Sequence, residues 1–381
     1  MQKPVYINQI VSLSALGSTQ DEVWKSLIDA PPQFQKRKFH ETEVMVTALN
    51  EKDEKALEQI KNERKLYNEL DKSALMTIVV GRKLFEHTNE DISKFGINIG
   101  SSRGATQTFE NAHQDYLEHQ EVSIMTSPTT TLGNLATNVA QDLGLQGPAI
   151  SHSITCSSAL HALLNAMAFL QSGMSTDFII GGTEAPLTGF TIAQMQALKL
   201  YSRRLEKYPC RSLDFDKSEN TLVLGEATCL ASVSIKPKGN AIKVSGIGYA
   251  TENIKNSVAL SAEADCLKQS MQMALKSADK TDVDVVVMHA PGTLKGDKSE
   301  LKALKNTFQK LPTLTTNKWL IGHTFGASGA MSLEMAVMML KNNKFIANPF
   351  YNNKNIPKNI KSVMVNAVGF GGNAVSVVLE K

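Results

Sequence analysis

Residues 149–162 read Ala149-Ile150-Ser151-His152-Ser153-Ile154-Thr155-Cys156-Ser157-Ser158-Ala159-Leu160-His161-Ala162. Ile150 and Ile154, among small residues, fit a short strand. Beyond the cysteine, Ala159, Leu160, Leu163, Leu164, Met167 and Leu170 recur at helical spacing. Ser157 and Ser158 stand where the first-turn N–H groups of a helix need partners. Cys156 therefore falls at a strand-to-helix turn, against the positive end of a helix, a position that favours a thiolate. Two readings stay open on this stretch alone. The cysteine is a small buried hydrophobe, as most free cysteines are, or it is a nucleophile.

The composition narrows the classes. A chain of 381 residues exceeds the usual single core and predicts one large or two similar domains. A net charge of +3 gives no argument for nucleic acid. Cys156, Cys210, Cys229 and Cys266 lie far apart, without CxxC or metal-ligand spacing. Reduced thiols in a cytoplasm are the expectation, with no metal. The segment Met1-Gln2-Lys3-Pro4-Val5-Tyr6-Ile7 lacks a long apolar run, so no signal peptide is read. No apolar run reaches the roughly 20 residues that span a bilayer.

Working outward, residues 5–13 read as a strand, followed by a helix from Thr19 or Gln20 that Pro31-Pro32 stops. Residues 51–72 mix charges and include Lys61, Arg64, Lys65 and Lys72. They read as a solvated helix face or as a docking edge for an acidic partner. An amphipathic helix is expected over 73–85 and a buried strand over 95–100. Residues 101–108 read as small and polar, with Thr106, Gln107 and Thr108 among them. Gly173 stops the helix after Cys156, and residues 177–185 form a strand ending in a loop. Strand, helix, strand predicts a parallel sheet covered by helices. Arg203, Arg204, Lys207 and Arg211 make a second basic cluster, and Cys229 opens another strand. Pro237-Lys238-Gly239-Asn240 is the best domain boundary. No internal repeat is visible.

The last third holds two histidines in glycine-rich surroundings. A strand over 283–288 ends at His289-Ala290-Pro291-Gly292-Thr293-Leu294-Lys295-Gly296-Asp297, and a helix begins near Glu300. His323 lies in Lys318-Trp319-Leu320-Ile321-Gly322-His323-Thr324-Phe325-Gly326-Ala327-Ser328-Gly329, ahead of an apolar helix over 330–340. Strands over 362–366 and 375–379 flank Gly369-Phe370-Gly371-Gly372-Asn373. Either histidine alone reads as structural. With a reactive cysteine, all at ends of apolar elements, they make a candidate site.

At this point the chain resembles the β-ketoacyl-(acyl carrier protein) synthases of the elongating Cys-His-His type, in the thiolase-like superfamily. The motifs are residues 155–162, the strand and turn over 178–184, and Phe215-Asp216-Lys217 with Val223-Leu224-Gly225-Glu226. The two histidine motifs and the glycine loop over 369–373 complete them. The resemblance implies an α/β fold of five layers, αβαβα, built from two similar halves, residues 1–236 with the cysteine and 237–381 with both histidines. It implies decarboxylative condensation of a Cys156-bound acyl group with malonyl-acyl carrier protein, in fatty-acid or specialised (polyene, aryl-polyene, polyketide) synthesis. His289 and His323 would donate to the malonyl thioester carbonyl. Lys318 and Glu300 would pair and order the site. The N–H groups of Cys156 and Phe370 would form the oxyanion hole, with Phe370 as gate. Thr293, Gly371, Gly372, Thr106 and Thr108 would contact substrate. No cofactor is implied, because the carrier protein brings its own phosphopantetheine. The partners implied are acyl carrier protein, docking on Lys61, Arg64, Lys65, Arg203, Arg204 and Lys207, and a second copy or a paralogous synthase or chain-length factor.

Departures from that pattern are informative. Pro291 replaces a common threonine, Asn373 follows Gly372 directly, and Thr106, Gln107 and Thr108 are polar where apolar residues usually meet the acyl chain. A thiolase would need a cysteine beyond Cys266, and none follows it. An initiating synthase would carry asparagine in place of His323. A non-catalytic chain-length-factor-like subunit is the alternative, and such subunits typically lose the cysteine.

Overall fold

In the computed structural model, residues 3–132, 134–253 and 260–381 are described. The first half contributes β1 (Val5–Ser14), β2 (Gln35–Phe39), β3 (Thr42–Val46), β4 (Gly96–Gly100), β5 (Ala149–His152), β6 (Asp177–Glu184) and β7 (Ala227–Ser234). The second contributes β8 (Ile242–Thr251), β9 (Val285–Val287), β10 (Thr313–Thr315), β11 (Ser362–Gly369) and β12 (Asn373–Glu380). Setting aside the β2–β3 hairpin, each half holds five strands with one plan. The order is β5-β4-β6-β7-β1 in the first and β10-β9-β11-β12-β8 in the second. In both, three strands run parallel and the next two join antiparallel. The two sets meet where Val5, Tyr6 and Ile7 pair with Val244, Lys243 and Ile242. The repeat was invisible in sequence because it is a repeat of topology, carried by different residues.

Period-2 alternation sorts each strand's side chains into layers. Phe178 and Ile180 of β6, Val285 and Val287 of β9, and Val363 and Val365 of β11 share one core with the helices Ser158–Ser172 and Ser328–Asn342. The intervening Ile179 packs outward on the helices Lys72–Phe85 and Asn134–Leu143. Val286 and Met364 pack outward on Asp265–Ser277 and Leu294–Thr307. The layers are therefore helix, sheet, helix, sheet, helix. The central helices are apolar almost all round, as a doubly covered layer requires.

Two local expectations change. The helix over 73–85 is not amphipathic, since Ser73 to Gly81 are all buried. It is pressed between the sheet's outer face and its helical neighbours. The helix expected near Glu300 starts at Leu294, because Thr293 caps it and accepts from the Gly296 N–H at 3.1 Å.

One buried ion pair pins the loops of the two halves. Lys217 Nζ donates to Asp297 Oδ2 at 2.7 Å, with both side chains sealed from solvent. The same carboxylate accepts from the N–H groups of Leu213 and Gly292. Lys217→Met strands a buried carboxylate, which typically costs about 3–5 kcal/mol. A denaturant midpoint lowered to match is expected. An unshifted midpoint would place the anchor elsewhere.

Candidate active site

Three backbone features make the turn that carries Cys156. Thr155 sits at φ 47°, a left-handed conformation costly for a branched residue. The Ser157 hydroxyl donates to Ile154 O at 2.9 Å. The Ser158 hydroxyl donates to Thr155 O at 2.6 Å and accepts from Ile154 N–H at 2.8 Å. The two serines thus tie the turn itself and give the helix no side-chain cap, contrary to expectation. Gly369 lies against the turn, where a Cβ would fall 1.8 Å from Thr155 Oγ1 and 3.1 Å from the Cys156 nitrogen. Only glycine allows that approach. The Thr155 hydroxyl also donates to Phe370 O at 3.3 Å.

The second half supplies both imidazoles. The His289 and His323 rings lie 5.1 Å apart, close to perpendicular at 78°. The Phe325 N–H donates to His323 Nδ1 at 3.1 Å. A neutral His323 therefore carries its proton on Nε2. Glu300 holds the His289 strand end, accepting from the His289 N–H at 2.9 Å and the Ala290 N–H at 2.8 Å. Asn366 Nδ2 adds a third donor at 3.2 Å.

Burial dominates the electrostatics. Both histidines are held well below 6.5, first by burial and then by the nearby Lys318 charge. Burial pushes Glu300 up to about 7 and Lys318 down to about 8. Lys318 is 1% exposed, and among the described residues its Nζ has no hydrogen-bond partner. The expected Lys318–Glu300 pair is therefore not a direct contact, because Glu300 spends its oxygens on backbone N–H groups and Asn366. The two still feel each other's charge. Cys156 also departs from the thiolate expectation. Burial, then the Glu184 carboxyl, pushes its thiol up to about 12. A helix dipole contributes only about 0.3–1 kcal/mol at a surface, too little against complete desolvation.

A cavity of about 460 Å³ joins these groups and is lined by Cys156, His289, His323, Glu300, Thr293 and Phe370. Thr293 lines the cavity while its hydroxyl oxygen caps the helix by accepting from the Gly296 N–H. Gly371 and Gly372 lie outside the lining and form the tight β11–β12 turn at φ 88° and 70°. Thr106 and Thr108 do not line this cavity either. They open the helix Thr106–His119, where the Thr108 N–H and hydroxyl both turn to Asp71 Oδ2. Sequence reasoning missed Phe325, Asn220 and an apolar wall of Met195, Leu198, Leu200 and Leu222. Phe325 follows His323 by two residues and was legible. The wall comes from the end of the helix Gly189–Ala197 and the loops after it, and carries no motif. Residues 101–108 are also not all small, because Arg103 stands among them.

Of the basic residues singled out, Arg203 lines a groove that shares Asn220 and Leu294 with the cavity wall. Lys199 in that groove and Lys295 in the cavity were missed. Arg204 is paired with Glu206 at 2.7 Å and Glu219 at 2.9 Å. Lys207 lies over the Tyr208 ring and Arg64 over Tyr67. Lys61 reaches Glu58 at 4.0 Å, and Lys65 is exposed.

Comparison with known proteins agrees with this geometry. Residues 3–234 match the family described as beta-ketoacyl synthase, N-terminal domain, and residues 242–351 match its C-terminal domain. A 3-oxoacyl-[acyl-carrier-protein] synthase 2 of Staphylococcus aureus is 25% identical, covering 100% of this chain and 98% of the relative. That of Vibrio cholerae is 25% identical over 78% of each. A β-ketoacyl synthase from Burkholderia phymatum shares the fold with TM-score 0.85 at 21% identity, over 100% of both chains. A Xenorhabdus doucetiae ketosynthase, solved with its chain length factor, has TM-score 0.84 at 19% identity, over 99% of this chain and 98% of that one. A ketosynthase solved with a type II polyketide acyl carrier protein has TM-score 0.83 at 17% identity, over 100% of both. Cys156 from one half, two neutral imidazoles from the other and a family match along 3–234 and 242–351 lead to one conclusion: the chain belongs to the β-ketoacyl synthase family, with the thiolase-like fold.

Proposed function

We propose that the chain joins an acyl group held on Cys156 to the malonyl unit of an acyl carrier protein, releasing carbon dioxide and a β-ketoacyl-acyl carrier protein. The carrying observation is the single cavity in which Cys156 meets two perpendicular imidazoles 5.1 Å apart. In the first half-reaction Sγ attacks the acyl thioester, and the proton leaving Sγ ends on the departing pantetheine sulfur. The N–H groups of Cys156 and Phe370, drawn together by Gly369, hold the oxyanion. In the second, the malonyl C–C bond to its carboxylate breaks, and the electron pair forms an enolate. His289 and His323 donate to the enolate oxygen, and its carbon attacks the Cys156 thioester. The C–S bond of that thioester breaks, so that Sγ leaves as a thiolate and regains a proton from solvent. Burial suits both imidazoles to this role, since a neutral ring donates without protonating the enolate. Burial keeps them neutral and the Lys318 charge reinforces it, while Glu300 positions His289 through the backbone.

The same reading assigns residues 1–236 and 237–381 as the two halves, a cytoplasmic location, and acyl carrier protein as partner. Arg203, beside the cavity mouth, supports docking there. All four cysteines are free, and among the described residues no helix is long and apolar enough to cross a membrane. Pairing with a second copy or a paralogous subunit is supported by the open edge of β5 and by exposed Phe109, Leu117, Ile124 and Phe190. Cys156 and both histidines disfavour a non-catalytic role. Housekeeping fatty-acid and specialised synthesis both fit this site.

Two outcomes test the reading. His323→Ala should still acquire an acyl group on Cys156, seen by intact mass, while condensation falls roughly a hundred- to thousand-fold. Near-normal condensation would make His323 structural.

Lys318→Met separates function from stability. The unfolded ammonium keeps its proton to about 10.5, whereas the folded one loses it above about 8. The buried charge therefore costs stability below pH 8, and the cost fades between 8 and 10.5. At pH 6 the variant should be more stable by on the order of 2–3 kcal/mol. Its acid limb of condensation should move to higher pH, since the histidines regain protons sooner. A variant no more stable at pH 6, with an unmoved limb, would contradict this role.

A further inference from the structure

Among the described residues that line the Cys156 cavity, Lys295 carries the one exposed charge. It therefore stands at the cavity mouth, while Cys156, Glu300 and both histidines are buried. Beside that mouth runs a groove of about 550 Å³ whose lining includes Lys199 and Arg203, both exposed. Asn220 and Leu294 belong to both linings, so groove and cavity share a wall. Asn220 also ties the two banks together. Its Nδ2 donates to Lys199 O at 2.9 Å, and its Oδ1 accepts from the Leu294 N–H at 2.9 Å. Lys199 and Lys295 are thereby fixed, through the backbone, on either side of one side chain. Lys199 sits at φ 57°, a conformation uncommon outside glycine, and the Asn220 bond holds its carbonyl. The carboxylates of the groove are engaged by other cations. Glu43 pairs with Lys36 at 3.3 Å, and Glu219 pairs with Arg204 at 2.9 Å. Among the described residues Lys199, Arg203 and Lys295 enter no ion pair.

We propose that Lys199 and Lys295, with Arg203 beside them, seat the phosphate through which a pantetheine arm hangs from its carrier protein. The thioester end of such an arm lies at Cys156, behind an apolar wall. Its phosphate end stays at the rim, where three cations stand without a paired carboxylate. Ammonium groups meet phosphate oxygens as point charges, and a guanidinium adds a fork of donors. Seating the phosphate fixes how deep the arm enters, so the thioester stops at Sγ. The inference rests on the condensing reading and adds the group by which the arm is recognised.

The test supplies acetyl and hexanoyl groups on pantetheine, on 4′-phosphopantetheine and on an acyl carrier protein, at low salt, with Cys156 loading followed by intact mass. The phosphorylated arm should load about threefold to tenfold faster than pantetheine, the range that two or three exposed ion pairs supply together. Added salt should close the gap. Lys199→Met with Lys295→Met should bring the two arms to equal rates and raise KM for the carrier-bound donor with little change in kcat. Lys295→Glu should favour the arm without phosphate. Equal loading from both arms by the unaltered chain overturns the inference, as does a gap that survives the double substitution. Where only carrier-bound donors load, an unchanged KM in the doubly substituted chain overturns it. Absence of any Cys156 adduct from all these donors overturns the condensing reading itself, and this inference with it.

Discussion

Burial in the seam between the two halves shifts the titratable groups of the site. Desolvation is the leading cause of each shift: Cys156 and Glu300 upward, Lys318, His289 and His323 downward. Each group is pushed toward its neutral form. A neutral thiol is stable until an acyl thioester arrives, and neutral imidazoles donate hydrogen bonds without delivering protons. The residual Lys318 charge reinforces that neutrality at both rings.

The duplicated topology makes such a seam possible. Each half ends its parallel strands toward a shared line, so the Cys156 turn and the two histidine loops converge from opposite sides. The contacts that fix them are mostly backbone. Gly369 touches the Thr155 turn, Glu300 clamps two successive N–H groups, and Asp297 ties both loops through Lys217. The central helix Ser328–Asn342, buried nearly along its whole length, stiffens the layer from which Cys156 and His323 project.

Much of this was legible in the sequence. Cys156, His289 and His323 stand at ends of apolar runs inside glycine-rich loops, and glycine spacing reports close backbone approach. The parts that were not legible depend on distant neighbours. Nothing in residues 73–85 tells that a second layer of helices will bury the polar side of that helix. Lys318 and Glu300 look like a natural ion pair, yet the carboxylate is claimed by the backbone of His289 and Ala290. Cys156 at a helix start reads as a thiolate, because dipoles are local in sequence whereas burial is a property of the whole fold. Thr106 and Thr108 read as pocket residues, but Asp71, far back in the chain, holds Thr108 away.

The most direct test of deep burial at the seam is the protonation of its histidines. In protein labelled with ¹⁵N-histidine, the ring nitrogens of His289 and His323 can be followed from pH 5 to 9, with His289→Ala and His323→Ala variants giving the assignments. Neutral signals that do not titrate across this range, with the His323 proton on Nε2, are predicted. A midpoint near the ordinary 6.5 for either ring would contradict deep burial of the rings and a mechanism built on neutral donors.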